Sequence, residues 1–298
     1  MVSSEKLTVV IPAHNEEETI GSVIDGIRGV LDSAGFPYEI IVVNDGSTDR
    51  TYEVVKEKGV KVLNHEKRKG YGAAIKTGIS LAQSSLIVII DADGSYPAEA
   101  IPTMVKMMGA ADMVVGARVG AKIAIPLARK PAKFVLTKFA NYVSGFKIPD
   151  LNSGLRVFKK QQVNCFIFLL PDGFSFTATL TLAFLCYGLT VKFIPINYYE
   201  RKGKSKIRPL SDTIGFFSLM LKLAIYLKPL KVLAPIFGFL LTVGLTVFIY
   251  QLILFRDVAE LAVLLILAAL LIGILGLISD MIATMYRHFI TEALLKHV

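Results

Sequence analysis

Leu86-Ile87-Val88-Ile89-Ile90-Asp91-Ala92-Asp93 is a run of aliphatic residues that ends on two carboxylates one residue apart. An unbroken aliphatic run of this length, bounded by polar residues, reads as a strand buried on both faces, the pattern of a parallel sheet covered by helices. Four further runs of the same kind lie at 7–11, 39–44, 60–64 and 113–117, separated by helical patterns. The expected fold is therefore α/β with a mostly parallel sheet. In such sheets ligands bind beyond the carboxyl ends of the strands. The residues found there are Pro12-Ala13-His14-Asn15-Glu16, Asn44-Asp45-Gly46-Ser47, Asn64-His65, Asp91-Ala92-Asp93 and Gly116-Ala117-Arg118.

Away from these strands the chain is too apolar for an ordinary soluble enzyme, with 53% of its 298 residues hydrophobic and 19% charged. The excess is concentrated in residues 232–255 and 261–279, which contain no Asp, Glu, Lys, Arg or His. A hydrocarbon core of about 30 Å is crossed by roughly 20 such residues, so a pair of membrane-spanning helices is expected at about 232–255 and 258–282. A buried core hairpin is the alternative, and the lack of any polar face argues against it. Lys222, Lys228 and Lys231 precede the first run and Arg287, His288 and Lys296 follow the second, while the turn holds Arg256, Asp257 and Glu260. The positive-inside bias then puts both termini, a C-terminal tail and the bulk of the chain on the cytoplasmic side of the cell membrane. Residues 1–6 lead directly into the first strand, without the apolar stretch of a signal peptide.

Two more segments are amphipathic. Residues 131–146 place Val135, Leu136, Phe139, Tyr142, Val143 and Phe146 on one face, and 210–227 leads into the first span. Both are expected at the lipid interface, with packing on the sheet as the alternative. The organisation expected is a cytoplasmic catalytic domain over 1–208, an interface helix and linker over 209–231, and two spanning helices over 232–298. Cys165 and Cys186 have no CxxC spacing and read as reduced core residues. The net charge of +9 suits an anionic partner, whether a phospholipid surface, a lipid phosphate or nucleic acid. Nucleic acid is set aside, because the basic residues are not interleaved with aromatics on a recognisable module.

Along an extended chain residues i and i+2 share a side, so Asp91 and Asp93 are expected to face one site. Paired carboxylates suit Mg²⁺ or Mn²⁺, which uses one or two of them together with substrate phosphates. Asp45, in Asn44-Asp45-Gly46-Ser47-Thr48-Asp49, ends another strand; its turn also reads as a helix cap at Ser47 or Thr48. In Lys67-Arg68-Lys69-Gly70-Tyr71-Gly72-Ala73-Ala74 a basic loop opens a helix, and its cations and free amides at Gly70 and Gly72 would suit a phosphate, a solvated charge run being the alternative. His14 and His65 read as packing or turn residues.

Taken together, over residues 6–228, these stretches resemble family 2 glycosyltransferases, and within them the polyprenyl-phosphate sugar synthases typified by dolichyl-phosphate mannose synthase. The resemblance extends to Asp150-Leu151-Asn152-Ser153-Gly154-Leu155-Arg156 and Arg201-Lys202-Gly203-Lys204-Ser205-Lys206. It implies a GT-A-type, Rossmann-like domain that moves a hexose from a nucleotide-sugar to a polyprenyl or dolichyl phosphate at the bilayer. Pro12, Ala13, Asn15, Glu16, Asp45, Lys69, Gly70, Asp91 and Ala92 would bind the donor nucleotide, and Asp91, Asp93 and Ser95 the metal. Arg118, with Arg129, Lys130 or Lys133, would receive the lipid phosphate. Arg201, Ser205 and Lys206 would close over the donor phosphates, and Asp150 would orient the acceptor.

The chain departs from the family pattern in three places. Asp93-Gly94-Ser95 stands where mannose synthases carry Asp-Leu-Gln, which leaves the donor open between GDP-mannose, the first expectation, and UDP-glucose or a UDP-N-acetylhexosamine. Within residues 173–179 relatives often carry an acidic residue that this chain lacks, and its spans number two where some relatives have four and others none. A processive synthase is disfavoured, since there is no Gln-X-X-Arg-Trp element and no Trp at all. A membrane-tethered nucleotide-sugar-binding regulator is the non-enzymatic alternative.

Overall fold

The computed structural model describes residues 6–118, 130–199, 209–258 and 260–295; the side chains of 130–134, 209–214, 216 and 293–295 lie outside the description. It divides into two compact units, Met1–Asp212 and Thr213–Val298. In chain order the first unit comprises β1 (Leu7–Ala13), α1 (Ile20–Ala34), β2 (Tyr38–Asp45), α2 (Thr51–Glu57), β3 (Lys61–His65), α3 (Tyr71–Leu81) and β4 (Leu86–Ile89). It continues with α4 (Ile101–Met107), β5 (Met113–Arg118), α5 (Lys130–Ser144), β6 (Arg156–Lys159), α6 (Lys160–Asn164), α7 (Phe176–Cys186) and β7 (Val191–Ile196). The division falls inside α8 (Pro209–Leu227), after which come α9 (Pro229–Phe255) and α10 (Glu260–Leu295).

The seven strands form one sheet in the order β3-β2-β1-β4-β6-β5-β7, parallel except for β6, which runs antiparallel to both neighbours. The five expected strands are all present. β6 and β7 were not legible: β6 has only four residues, and β7 carries Pro195, which an edge strand tolerates because one side of its ladder is unpaired. Reversal of β6 has a positional consequence. Its first residue, Arg156, pairs with Ile89 near the end of β4 and with Val115 on β5. The preceding loop therefore opens at the same edge as the carboxyl ends of the parallel strands.

Helix α1 buries Ile20, Ile24, Ile27 and Leu31, the spacing of one helical face, against Leu7, Val9 and Ile11 of β1. It ends where Gly35 takes a left-handed φ of 68°. Helix α5 is amphipathic but its apolar side is only partly covered: Ala140 and Val143 are buried, while Val135 and Tyr142, and Phe146 just past the helix end, are about half exposed. Cys186 is buried and Cys165 only partly so, which corrects its expected place in the core.

In the second unit α9 and α10 are long and apolar enough to cross a membrane, and only 6% and 17% of their most apolar windows are buried. That exposure removes the core-hairpin alternative, because core helices bury their apolar surface. The helices pack antiparallel and closely, Gly244 against Ile266 and Phe237 against Gly273. Helix α10 continues to Leu295, so the residues that follow the second apolar run are helical to that point. There Arg287 donates to the terminal carbonyl of α8 at Leu227 (3.2 Å), and Tyr286 meets Tyr226 edge-on.

Helix α3, which carries Tyr71 at its first position, lies on β1 where Gly78 meets Val10; an added Cβ would approach Val10 Cγ1 to 2.3 Å. Gly78→Ala is therefore expected to destabilise the protein by about 1–3 kcal/mol through overpacking. Gly26→Ala, on the exposed side of α1 with nothing within 4 Å, is expected to stabilise it by up to about 1 kcal/mol. Thermal unfolding of the detergent-solubilised chain measures both.

Candidate active site

Strand pairing at β4 stops at Ile89, so Asp91 and Asp93 lie in a turn beyond the strand rather than on its alternating face. Side-chain hydrogen bonds shape that turn. Asp93 Oδ1 accepts from the amide (3.0 Å) and hydroxyl (2.5 Å) of Ser95, Gly94 supplies a φ of 72°, and Thr19 Oγ1 donates to Ala92 O (2.8 Å). Ser95, one of the expected metal ligands, is fully buried, and its hydroxyl donates to Asp93. Asp91 Oδ1 accepts from the Tyr71 hydroxyl at 2.8 Å. On its other side the carboxylate occupies space that a Cβ at Gly154 would fill, at 2.4–2.6 Å.

Asp45 organises the neighbouring loop. Its Oδ1 accepts from His65 Nδ1 and the Lys69 amide and its Oδ2 from the Gly70 amide, each at 2.8 Å. Burial pushes this carboxyl up, but the His65 and amide hydrogen bonds outweigh it and hold the group below the usual carboxylate range. The Gly70 amide is thus committed to Asp45, which corrects its expected role as a free phosphate donor. Glycine is required at 70 and 72 for another reason: a Cβ there would lie 2.5 Å from Asp172 O and 2.1 Å from Pro171 O. His65 is structural, with Nε2 on Thr77 Oγ1 at 3.1 Å.

Ser47 and Thr48 do not cap α2, which starts at Thr51 without a side-chain cap bond from its N-cap residue Arg50. They fasten the loop after β1 instead: the Asn15 amide donates to Ser47 Oγ (2.9 Å) and the Thr48 amide to Asn15 Oδ1 (2.8 Å). Asn15 holds the left-handed φ of 53° that this cross-link imposes.

The loop before β6 holds the cation at the end of β5. Asp150 grips one edge of Arg118, with Nε to Oδ2 at 2.6 Å and Nη2 to Oδ1 at 2.8 Å. The Tyr198 ring lies 5.2 Å from the guanidinium carbon. Asp150 uses two of the five guanidinium N–H donors, so among the described residues the remaining three, on Nη1 and Nη2, are available to an anion. Burial raises the Asp150 carboxyl, but Arg118 overrides it and the net direction is down. Arg156 is fully buried. Its donors reach Ser153 O (2.8 Å), Thr181 Oγ1 (2.6 Å) and Leu151 O (2.9 Å), and no described carboxylate lies within ion-pair distance. Burial pushes its guanidinium down to about 10.

One cleft brings together Pro12, Ala13, Glu16, Asp45, Asp91, Ala92 and Asp93 of the expected residues. Its wall includes Arg68, one of the loop cations expected to suit a phosphate, together with Tyr71 and Phe174, two rings stacked with centroids 5.8 Å apart that were not among the expected site residues. A tyrosine beside helix-opening glycines was the available signal for Tyr71. Phe174 and Arg156 had none outside the quoted stretches. Asn15, Lys69, Gly70 and Ser95 support the cleft through backbone and side-chain bonds without lining it. Arg129, Arg201, Ser205 and Lys206 lie outside the described residues, as do the side chains of Lys130 and Lys133. Tyr199, the last residue described before Arg201, donates its amide to Ser95 O at 2.9 Å.

Breaking a buried ion pair strands a charge, so Asp150→Asn is expected to cost about 3–5 kcal/mol. Asp172→Asn, which removes the exposed partner of Lys76, is expected to change stability by at most about 1 kcal/mol. Equal effects in thermal unfolding would contradict the assignment of Arg118–Asp150 as the buried organising pair.

The chain's similarities to known proteins agree with this geometry. Residues 8–166 match the glycosyl transferase family 2 model, and residues 228–285 match the GtrB C-terminal hairpin. A Haloferax volcanii protein named dolichyl-phosphate hexose transferase is 29% identical, over 70% of this chain and 89% of its own. A Pyrococcus furiosus dolichol-phosphate mannosyltransferase is 30% identical, over 68% of this chain and 59% of its own. The Haloferax volcanii low-salt glycan biosynthesis hexosyltransferase Agl6 is 32% identical, and the match spans 51% of that longer protein. In fold, glucosyl-3-phosphoglycerate synthase from Mycobacterium tuberculosis, crystallised with Mn²⁺ and UDP-glucose, superposes with a TM-score of 0.59 at 21% identity, over 74% of this chain and 79% of its own. A GT-A-like sheet with a carboxylate-bearing cleft, followed by a GtrB-type hairpin, makes the chain a member of glycosyl transferase family 2.

Proposed function

We propose that this protein is a membrane-bound, inverting glycosyltransferase that moves a hexose from a nucleotide-sugar, GDP-mannose in the first instance, to a polyprenyl or dolichyl phosphate. The observation that carries the reading is Arg118, gripped on one edge by Asp150 at the end of β5, which lies at the same edge of the sheet as the end of β4 that bears Asp91 and Asp93, with β6 between the two strands. Relatives named as dolichyl-phosphate hexose and dolichol-phosphate mannose transferases support the substrate class. The distribution of Lys and Arg around the hairpin supports a cytoplasmic catalytic domain with both termini on that side.

Asp91 and Asp93 are hard oxygen donors in one cleft, and among the described residues no group of three or more His, Cys, Asp or Glu is placed to hold a metal alone. Two protein carboxylates suit a cation that completes its shell with substrate phosphates. Bound there, Mg²⁺ or Mn²⁺ would neutralise charge on the departing diphosphate. Ser95 would hold Asp93 in orientation, and Pro12, Ala13, Glu16 and Asp45 would line the nucleotide end of the cleft. A phosphate monoester has a second pKa near 6, so the acceptor oxygen is already anionic at neutral pH and needs no strong general base. Arg118 would hold that phosphate in line with the anomeric carbon, offsetting its repulsion from the donor. The acceptor oxygen forms the new bond to the anomeric carbon as the bond to the donor's β-phosphate oxygen breaks. The electron pair leaves with the nucleoside diphosphate, and the configuration inverts. Arg201, Ser205 and Lys206 are assigned to the donor phosphates, and Arg129, Lys130 and Lys133 to the acceptor side.

The test is transfer of radiolabelled sugar into organic-extractable lipid by purified protein with polyprenyl phosphate and Mg²⁺ or Mn²⁺, comparing GDP-mannose, UDP-glucose and UDP-N-acetylglucosamine. Metal-dependent label from GDP-mannose is expected, with Asp93→Asn lowering the rate by about 100-fold or more. Label from a uridine donor alone would replace the donor and keep the reaction. No label from any donor, in folded protein that binds nucleotide, would favour a tethered nucleotide-sugar-binding regulator.

A further inference from the structure

Tyr71 is the first residue of α3, and its phenol reaches across to the strand-end turn of β4. Two features hold it there. Its ring stacks on Phe174 with an interplanar angle of 16°, and the next turn of chain is tied to the same loop by the Ala73 amide on Asp172 O at 3.1 Å. Gly72 has no room for a side chain against Pro171 and Asp172, so this end of α3 and the 171–174 loop form one closely packed wall.

The opposite side of Asp91 is equally constrained. Gly154 lies against the carboxylate, and its amide donates to Tyr96 Oη at 2.7 Å, which fixes the backbone beneath Asp91. The carboxylate thus lies between a phenol that donates to Oδ1 and the closely approaching backbone of Gly154. In this contact the phenol hydroxyl is the donor and the carboxylate the acceptor. A phenolate in this position would repel Asp91, whereas the neutral phenol orients it.

We propose that Tyr71 is a positioning residue for Asp91, donating to Oδ1 and so setting the plane of the carboxylate for a divalent cation shared with the donor diphosphate. The inference rests on the metal role given above to Asp91 and Asp93. A hydrogen bond to one oxygen of a ligating carboxylate reduces the orientations it samples, and loss of such supporting partners typically weakens metal affinity by about 10–100-fold.

Tyr71→Phe keeps the stacked ring and removes only the hydroxyl. Mn²⁺ binding, read from the loss of the free-ion electron paramagnetic resonance signal, is titrated into the full-length protein in detergent with GDP or UDP present. Tyr71→Phe is expected to raise the Mn²⁺ dissociation constant at least about tenfold, and the Mn²⁺ concentration for half-maximal sugar transfer in parallel. Lys76→Ala, which releases the exposed ion pair between the same helix and the same loop, is expected to leave Mn²⁺ affinity within about twofold. An unchanged dissociation constant for Tyr71→Phe, or an equal rise for Lys76→Ala, would overturn the positioning role. Wild-type protein that binds nucleoside diphosphate but no Mn²⁺ would instead overturn the metal assignment itself, and this inference with it.

Discussion

Arg156 is the constraint on which the site depends: a fully buried guanidinium at the first position of β6, the antiparallel strand of the described sheet. Removing such a cation from water costs several kcal/mol, and here neutral acceptors meet it, with carbonyls of Leu151 and Ser153 prominent among them. Those two bonds give the 150–155 loop its shape. Every other contribution of that loop follows from it: Asp150 reaches Arg118, Ser153 Oγ donates to Gly116 O at 2.5 Å, and Gly154 both bonds Tyr96 and makes room for Asp91. Had β6 run parallel, this loop would have opened at the far edge of the sheet.

The electrostatic design separates two tasks. Asp45 accepts from backbone amides of the 69–70 loop and Asp150 from Arg118, so these two carboxylates organise backbone and cation. Asp91 and Asp93 lie beyond the end of β4, oriented by Tyr71 and Ser95. Joining two anionic substrates requires cations fixed before substrates arrive, because reorganisation during reaction would forfeit part of their stabilisation. Arg118, held on one edge by Asp150 and close to the Tyr198 ring, meets that requirement. Helices α9 and α10 add apolar length suited to a bilayer, the phase from which a polyprenyl phosphate would come.

Much of this was legible in the residues. Long aliphatic runs ending in polar groups announced β1, β2, β4 and β5, and the absence of charge over 232–255 and 261–279 announced the hairpin. What escaped depended on three-dimensional pairing. Arg156-Val157-Phe158-Lys159 is too short to signal a strand and says nothing about its direction. Gly70 and Gly72 looked like a phosphate cradle, but the pressure on them comes from Pro171 and Asp172, a hundred residues away. Ser47 and Thr48 matched a helix cap and are instead cross-links to Asn15. In each case the local pattern suited two structures, and a distant segment decided between them.

In the proposed reaction the lipid phosphate docks on Arg118 while the donor diphosphate lies at Asp91 and Asp93. An experimental structure of the full chain with Mn²⁺, a nucleoside diphosphate and a short-chain polyprenyl phosphate tests it most directly. The expected result is the acceptor phosphate on Arg118 Nη1 and Nη2, with the Asp150 pair intact and the diphosphate beside the two carboxylates. An acceptor phosphate seated on the 67–72 loop, or Arg118 withdrawn from both substrates, would contradict the claim.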